Sequence, residues 1–260
     1  MGGRVRHEKE GAVGWLVFDH PERRNAVSVE MWEQLPGAVE ALGADPEVRV
    51  VVMRGEGAAF VAGADISQFA EQRTEAADVS RYGSVVGRGV GALLQLEKPL
   101  LAAIHGPCVG GGVVIALTAD LRFAAADAVF RIPAARLGLG YEASGVEALA
   151  GTVGWSHALD LLLTARAVDA EEALRIGLVN DVRPAAGLDG FVRDRAGRIA
   201  ENAPLTLRAV KVAARELRKA PGLRDAGAVS AAYARCFASE DYKEGVAAFL
   251  EKRRPVFRGR

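Results

Sequence analysis

Leu100-Leu101-Ala102-Ala103-Ile104-His105-Gly106-Pro107-Cys108-Val109-Gly110-Gly111-Gly112-Val113-Val114-Ile115-Ala116-Leu117-Thr118-Ala119 is the stretch that sets the architecture of this chain. Its first residues, Leu100 to Ile104, are an unbroken apolar run of strand length. Gly106 and Pro107 make a turn, three glycines follow, and then comes the apolar face of a helix. The stretch predicts a strand, a glycine turn and a helix N-terminus. The first turn of a helix has backbone N–H groups with no intrahelical partner, and glycines let a second molecule approach them closely. Gly110, Gly111 and Gly112 thus offer donors to an anion or a developing oxyanion. Glycines at such a turn also serve tight packing, so the stretch alone leaves both uses open.

Toward the N-terminus, Gly14 to Phe18 predicts a strand that ends in the polar turn Asp19-His20-Pro21-Glu22-Arg23-Arg24-Asn25. Ser28 can cap a helix with Met31, Leu35, Val39 and Leu42 on one face, stopped by Pro46. Val48 to Met53 predicts a buried strand, followed by the turn Arg54 to Gly57 and the segment Phe60 to Asp65. A polar, mobile segment is expected from Gln68 to Ser80, and then a helix up to Glu97. Beyond the central stretch, Leu121 to Ala124 and Ala128 to Ile132 predict two short strands ending at Pro133. From about Ser144 the pattern is helical, including Ala158 to Leu163, Ala170 to Ile176, Phe191 to Glu201 and Leu205 to Leu217. Strands come early and helices late, which predicts an α/β core over residues 1–200 and a helical assembly region over 201–260.

The 260 residues, half of them hydrophobic, suffice for a large core. Acidic and basic residues balance at 33 each, so no global field points to nucleic acid or an anionic membrane. Cys108 and Cys236 are too few for a zinc site or a disulfide framework, which predicts free thiols and a reducing compartment. The N-terminus lacks the apolar core of a signal peptide, and no apolar run reaches membrane-spanning length. A soluble, cytoplasmic protein is expected, with no metal. The sequence contains no Gly-x-x-x-x-Gly-Lys phosphate loop, no Gly-x-Ser-x-Gly elbow and no His-Glu-x-x-His zinc helix. The histidines His7, His20, His105 and His157 are scattered, and only His105 adjoins the glycine turn.

Two strand-to-turn units therefore stand out. Phe60 to Asp65 follows one buried strand and Gly106 to Gly112 follows the next, so two N–H donors from adjacent turns can converge on one oxygen. That is an oxyanion hole. His20-Pro21-Glu22-Arg23-Arg24-Asn25-Ala26, Phe60-Val61-Ala62-Gly63-Ala64-Asp65-Ile66 and the triple glycine together resemble the enoyl-CoA hydratase and isomerase (crotonase) superfamily, from about Val13 to Phe257. The resemblance implies a superhelix of ββα units followed by a helical trimerisation region, and an acyl-CoA thioester substrate. Coenzyme A enters only as part of that substrate, and no separate cofactor is implied. The N–H groups matching the family's enolate-stabilising pair are those of Ala64 and Gly111. Arg24, Ala26, Ala62, Asp65 and Ile66 match the region that holds the CoA nucleotide. Phe249 and Lys252, in Ala248-Phe249-Leu250-Glu251-Lys252-Arg253-Arg254-Pro255, match residues that reach CoA from a neighbouring subunit, which implies a homotrimer or a dimer of trimers.

The departures from the family pattern bear on the chemistry. Hydratases place one catalytic glutamate three residues after the middle glycine, where this chain has Val114, and a second directly after a proline, where it has Ala134 after Pro133. Adding water to a double bond needs an acid and a base beside the substrate, so the usual hydratase machinery is not expected. Glu142 stands where relatives that shift double bonds or displace a halide carry a functional aspartate. Tyr141 matches a tyrosine of the methylmalonyl-CoA decarboxylase branch, which also shares the ending Ser239-Glu240-Asp241-Tyr242-Lys243-Glu244-Gly245. The expected function is an acyl-CoA enzyme that holds a thioester enolate and moves a proton through Glu142. Decarboxylation of a malonyl-type ester, which forms the enolate without a base, is the alternative. A catalytically silent CoA-thioester binder is the second alternative.

Overall fold

Strand β2 (Val13–Asp19), β3 (Val50–Gly55) and β4 (Leu100–Ile104) alternate their side chains between two apolar layers, which is why each reads as a continuous hydrophobic run. Leu16, Phe18, Val51, Met53, Leu100, Ala102 and Ile104 face one core, and Val13, Trp15, Val17, Val50, Val52, Leu101 and Ala103 face the other. These strands belong to a six-stranded sheet in the order β1 (Arg4–Glu10), β2, β3, β4, β6 (Leu121–Ala125), β9 (Asp181–Arg183), with β1 antiparallel to β2 and the remaining pairs parallel. The computed structural model describes residues 2–65 and 76–260. Ile66 and most of the polar segment expected from Gln68 to Ser80 lie outside the described residues.

A second sheet of three strands, β5 (Pro107–Val109), β7 (Val129–Arg131) and β8 (Ala167–Asp169), explains the winding. β4 enters the large sheet and β5 the small one; β6 (Leu121–Ala125) and β7 repeat the step. The bridge between Val61 and Cys108 adds the chain after β3 to the edge of β5, so each turn of the superhelix contributes one strand to each sheet. The fold is the α/β superhelix that the family resemblance implies, and the central stretch forms its strand, turn and helix with one refinement. Gly106 and Pro107 do not lead straight to the glycines, because Pro107–Val109 first pairs with β7 as a strand. β8 and β9 (Asp181–Arg183) likewise fall in a region whose pattern is otherwise helical. Three-residue strands carry no readable period; their partners define them.

Nine α-helices surround the sheets among the described residues: α1 (Val29–Ala44), α2 (Ala76–Gln95), α3 (Gly111–Leu117), α4 (Ala143–Thr164), α5 (Ala170–Arg175), α6 (Ala185–Ala200), α7 (Pro204–Arg218), α8 (Ala226–Phe237) and α9 (Glu240–Leu250). Ser28 caps α1 by accepting from the Met31 N–H, and Met31, Trp32, Leu35, Ala38, Val39 and Leu42 are its buried residues. α6 covers the second core through Leu188, Val192, Ala196 and Ala200. α7 is fixed to the main body by Lys211, whose ammonium lies 2.8 Å from Asp120 Oδ2 and donates to the Lys98 carbonyl at 2.8 Å.

Candidate active site

β3 and β4 are adjacent parallel strands, so the turns leaving their C-terminal ends are neighbours. The chain after β3 is held by two isolated parallel bridges, Val27 with Ala64 and Val61 with Cys108. In the first, the Val27 N–H donates to Gly63 O at 2.8 Å and the Asp65 N–H donates to Val27 O at 3.1 Å. The residue flanked by such a pair points its own N–H to the opposite side. The Ala64 N–H therefore faces away from Val27, and it has no acceptor among the described residues.

The turn after β4 presents a second amide. Gly110, at φ +52° and ψ −109°, donates its N–H to Arg131 O at 2.8 Å, while its carbonyl accepts from the N–H groups of Val113 and Val114 at 3.0 and 3.2 Å. α3 thus begins at Gly111, whose N–H belongs to the first turn and has no intrahelical acceptor. A methyl group built on Gly111 would lie 4.0 Å from Ala64 N, 4.0 Å from the Gly63 carbonyl carbon and 3.7 Å from Trp32 Cζ2. These three groups bound one small niche.

The three glycines do different work. Gly110 supplies a positive φ that other residues adopt only with strain. Gly112 supplies closeness, since a methyl there would stand 2.2 Å from Val61 O, inside the bridge that positions Ala64. Gly111 needs neither, because its methyl would meet only ordinary contacts; what it leaves is room beside two amides.

The turn preceding β3's loop partner is tied down by Asn25, which is fully buried at φ +57°. Its Oδ1 accepts from the His20 N–H at 2.8 Å, and its Nδ2 donates to Glu56 O at 2.9 Å and Ala59 O at 2.7 Å. The Ala62 N–H donates to Arg24 O at 3.0 Å, so Arg24, Ala26, Ala62 and Asp65 lie on two segments bonded side by side. Arg24 is exposed and Ala26 is buried. Sequence periodicity gave Asn25 no role; its signal was a polar residue in a turn that needs a left-handed backbone.

Val114 and Ala134 are half-buried. Pro133, just before Ala134, approaches the glycine turn, with its Cδ 3.9 Å from a methyl built on Gly110. Neither position supplies a carboxylate. Glu142 is the N-cap of α4, with backbone at φ −66° and ψ 144°, and its carbonyl accepts from the Gly145 and Val146 N–H groups at 3.0 and 3.1 Å. Its side chain makes no capping bond and is exposed, with Oε1 3.5 Å from a methyl built on Gly83 of α2. The carboxylate therefore faces α2 rather than its own helix.

Tyr141 packs against the core and against Gly145, and its hydroxyl is buried with no partner among the described residues. Burial pushes its phenol up to about 12, so it keeps its proton at ordinary pH. Cys108 is fully buried, and burial pushes its thiol well above the usual range, which leaves it unreactive. Trp32 is 1 % exposed, and its indole N–H is also buried with no partner among the described residues. A buried donor left unpaired costs about 1–3 kcal/mol, so such groups ask for an occupant or a reason.

Phe249 and Lys252 lie at the far end of the chain. Phe249 is 83 % exposed and borders an apolar groove built entirely from residues between Ala203 and Phe257, including Val210, Tyr233, Phe237 and Val246. Lys252 follows α9 at φ +53° and is exposed. Within one chain, neither is among the residues that bound the niche at Ala64 and Gly111. The histidines nearby have structural partners: His20 Nδ1 donates to Ala26 O at 3.0 Å, and His105 Nε2 lies 2.9 Å from Asp189 Oδ1, whose carboxyl that bond holds below its usual range. Among the described residues no three His, Cys, Asp or Glu side chains gather to hold a metal ion, and no helix is long and apolar enough to cross a membrane.

This geometry stands beside a clear relationship. Residues 8–260 match the enoyl-CoA hydratase/isomerase family, and the chain belongs to that family of acyl-CoA enzymes. It is 37% identical over 252 residues to a crotonyl-CoA hydratase of Syntrophomonas wolfei, covering 96% of both chains. It is 30% identical over 267 residues to a peroxisomal Delta(3,5)-Delta(2,4)-dienoyl-CoA isomerase of Arabidopsis thaliana, covering 97% of this chain and 95% of that one. The crystal structure of an enoyl-CoA hydratase/carnithine racemase from Magnetospirillum magneticum superposes with a TM-score of 0.94 at 34% identity, covering 98% of this chain and 96% of that one.

The distinct roles of the glycines lead to a contrast that calorimetric unfolding can measure. Gly112→Ala drives a methyl into Val61 O and should destabilise the chain by about 3 kcal/mol or leave it insoluble. Gly111→Ala should unfold within about 1 kcal/mol of the parent. Equal losses at both positions would mean that Gly111 is a packing glycine like its neighbour.

Proposed function

We propose that this protein acts on an acyl-CoA thioester whose carbonyl oxygen is held by the Ala64 and Gly111 N–H groups, and that Glu142 carries a proton between carbons of the acyl group. The observation that supports this is the pair of amides flanking one niche that have no acceptor among the described residues, with room left by Gly111. As negative charge develops on the oxygen, two preorganised dipoles stabilise it more than they stabilise the neutral ester, and that difference accelerates enolate formation. Losing one such donor typically costs on the order of a hundredfold or more in rate.

With Val114 and Ala134 apolar, Glu142 is the group the family pattern leaves for proton transfer. Its carboxylate is not engaged in capping α4, and it needs to reach only the carbons next to the held carbonyl. This favours an isomerase or a hydratase-like lyase working with one carboxylate. The names of the relatives, a hydratase and a dienoyl isomerase, span these two chemistries. The buried, protonated Tyr141 hydroxyl beside an otherwise apolar wall favours a second reading, release of carbon dioxide from a malonyl-type ester. In that reaction a negative Glu142 would oppose the substrate carboxylate: like charges about 4 Å apart repel by roughly 4 kcal/mol at an effective dielectric near 20.

Arg24, Ala26, Ala62, Asp65 and Ile66 are assigned to the nucleotide end of CoA. Phe249 and Lys252, exposed on the helical region 201–260, are assigned to the site of a neighbouring copy in a homotrimer or a dimer of trimers. Light scattering on the full chain should give a mass of three or six chains; a monomer at micromolar concentration would remove this assignment.

The central test is Glu142→Gln, assayed on 2-enoyl-CoA, 3-enoyl-CoA and malonyl-type CoA esters by mass spectrometry. Turnover of the enoyl esters should fall by about a hundredfold or more with little change in affinity for the ester. If the variant keeps its rate on enoyl esters, or gains release of carbon dioxide from a malonyl-type ester, the proton-transfer assignment is wrong and the second reading stands. No turnover of any ester by the parent protein would leave a binder only.

A further inference from the structure

Asp241 and Glu244, within the ending Ser239 to Gly245, lie one turn apart on α9, and both bind residues that follow the helix. Glu244 takes the guanidinium of Arg253 on both oxygens, at 2.6 and 2.8 Å, and its Oε1 also accepts from the Val256 N–H at 2.8 Å. Asp241, 3 % exposed, accepts from the Arg258 N–H at 2.6 Å and from the Gly259 N–H at 2.7 Å. The Arg260 carbonyl accepts from the Glu240 N–H at 2.7 Å, so residues 253–260 run back along α9 from its last turn to its first. Arg49, just before β3, ties this returning segment to the main body. Its Nη2 donates to Phe257 O at 2.6 Å and its Nη1 to Ala200 O, at the end of α6, at 3.3 Å.

The chain reverses at Lys252. The Arg253 N–H donates to Ala248 O at 3.0 Å and the Lys252 N–H to Phe249 O at 3.3 Å, a helix ending that puts residue 252 in the left-handed region, at φ +53°. Glycine is the usual occupant of that position, because a Cβ there crowds the following carbonyl. A lysine keeps such a backbone only where its surroundings over-determine the turn. The grip of Glu244 on the next residue, Arg253, supplies that constraint. Arg253 and the Val256 N–H pull the Glu244 carboxyl down to about 2, so the pair stays ionised at ordinary pH. Lys252 itself is exposed, and its ammonium pairs with no carboxylate among the described residues. We propose that Glu244 is a positioning residue for CoA: by binding Arg253 and Val256 it holds Lys252 left-handed, and so sets the direction in which the ammonium leaves the end of α9. This rests on the assignment of Lys252 to the CoA of a neighbouring copy. A lysine whose backbone is already fixed has less freedom to lose when it meets an anion. Asp241 and Arg49 hold the far end of the segment in place.

The test is a cycle of variants of the full chain, read by titration calorimetry with butyryl-CoA and with S-butyryl-pantetheine, which lacks the nucleotide. Lys252→Ala should weaken butyryl-CoA by about tenfold and leave the pantetheine ester within about twofold of the parent. Glu244→Gln should do the same. Added to Lys252→Ala, it should weaken butyryl-CoA by no more than about twofold further, because it acts through Lys252. Three results overturn the positioning role and leave Lys252 on CoA: Glu244→Gln binds butyryl-CoA as the parent does, it weakens both esters alike, or its loss multiplies in full with that of Lys252→Ala. Unchanged affinity for butyryl-CoA in Lys252→Ala overturns the assignment of Lys252 and this inference with it. If Glu244→Gln does not fold, Arg253→Gln breaks the same pair from the other side and is held to the same outcomes.

Discussion

Two single-residue backbone bridges hold the arrangement on which everything else depends. Val27 pairs with Ala64 and Val61 pairs with Cys108, and between them they clamp the segment that leaves β3 against both neighbours. The first bridge turns the Ala64 N–H outward. The second fixes how far that segment sits from the glycine turn, and it tolerates only glycine at position 112 because the Val61 carbonyl occupies the place of a side chain. Asn25 reinforces the clamp from the side through three backbone hydrogen bonds, one within its own turn from the His20 N–H and two to the carbonyls of Glu56 and Ala59 in the chain after β3. Backbone donors placed in this way cannot rotate out of position, and fixed dipoles need no reorganisation when charge develops in front of them.

Much of this was legible in the sequence, and the reason is periodicity. The runs at Val13 to Phe18, Val50 to Met53 and Leu100 to Ile104 are apolar on both faces because both faces are covered, and that pattern survives without any knowledge of partners. Ser28 was readable as a cap, since a hydroxyl before an apolar helical face has a local job. The short strands β5, β8 and β9 were not readable. Three residues contain no period, and their pairing is decided by segments tens of residues away.

The site divides along the same line. Glycines after a strand announce a turn that something approaches, but their composition does not say that Gly110 serves conformation, Gly112 serves packing and Gly111 serves space. That separation appears only when a methyl is placed on each. Trp32 was hidden in the opposite way. It sits one residue from Met31 on the buried face of α1, where a large apolar side chain calls for no comment, and only the absence of a partner for its N–H among the described residues sets it apart. Glu142 lies between these cases: its place in the sequence suggested a function, and the structure puts it at a helix start with a carboxylate that the helix does not use.

Vibrational spectroscopy of the bound thioester reaches the proposed contact most directly. Butyryl-CoA labelled with 13C at the thioester carbonyl would be bound to the full chain, and its C=O stretch isolated by the difference between labelled and unlabelled ester. Two N–H groups on one oxygen weaken the C=O bond, so the stretch should move clearly to lower frequency than that of the same ester in water. A bound ester whose carbonyl stretch lies at or above its frequency in water would contradict the account, because the oxygen would then have no better donors in the protein than it had outside.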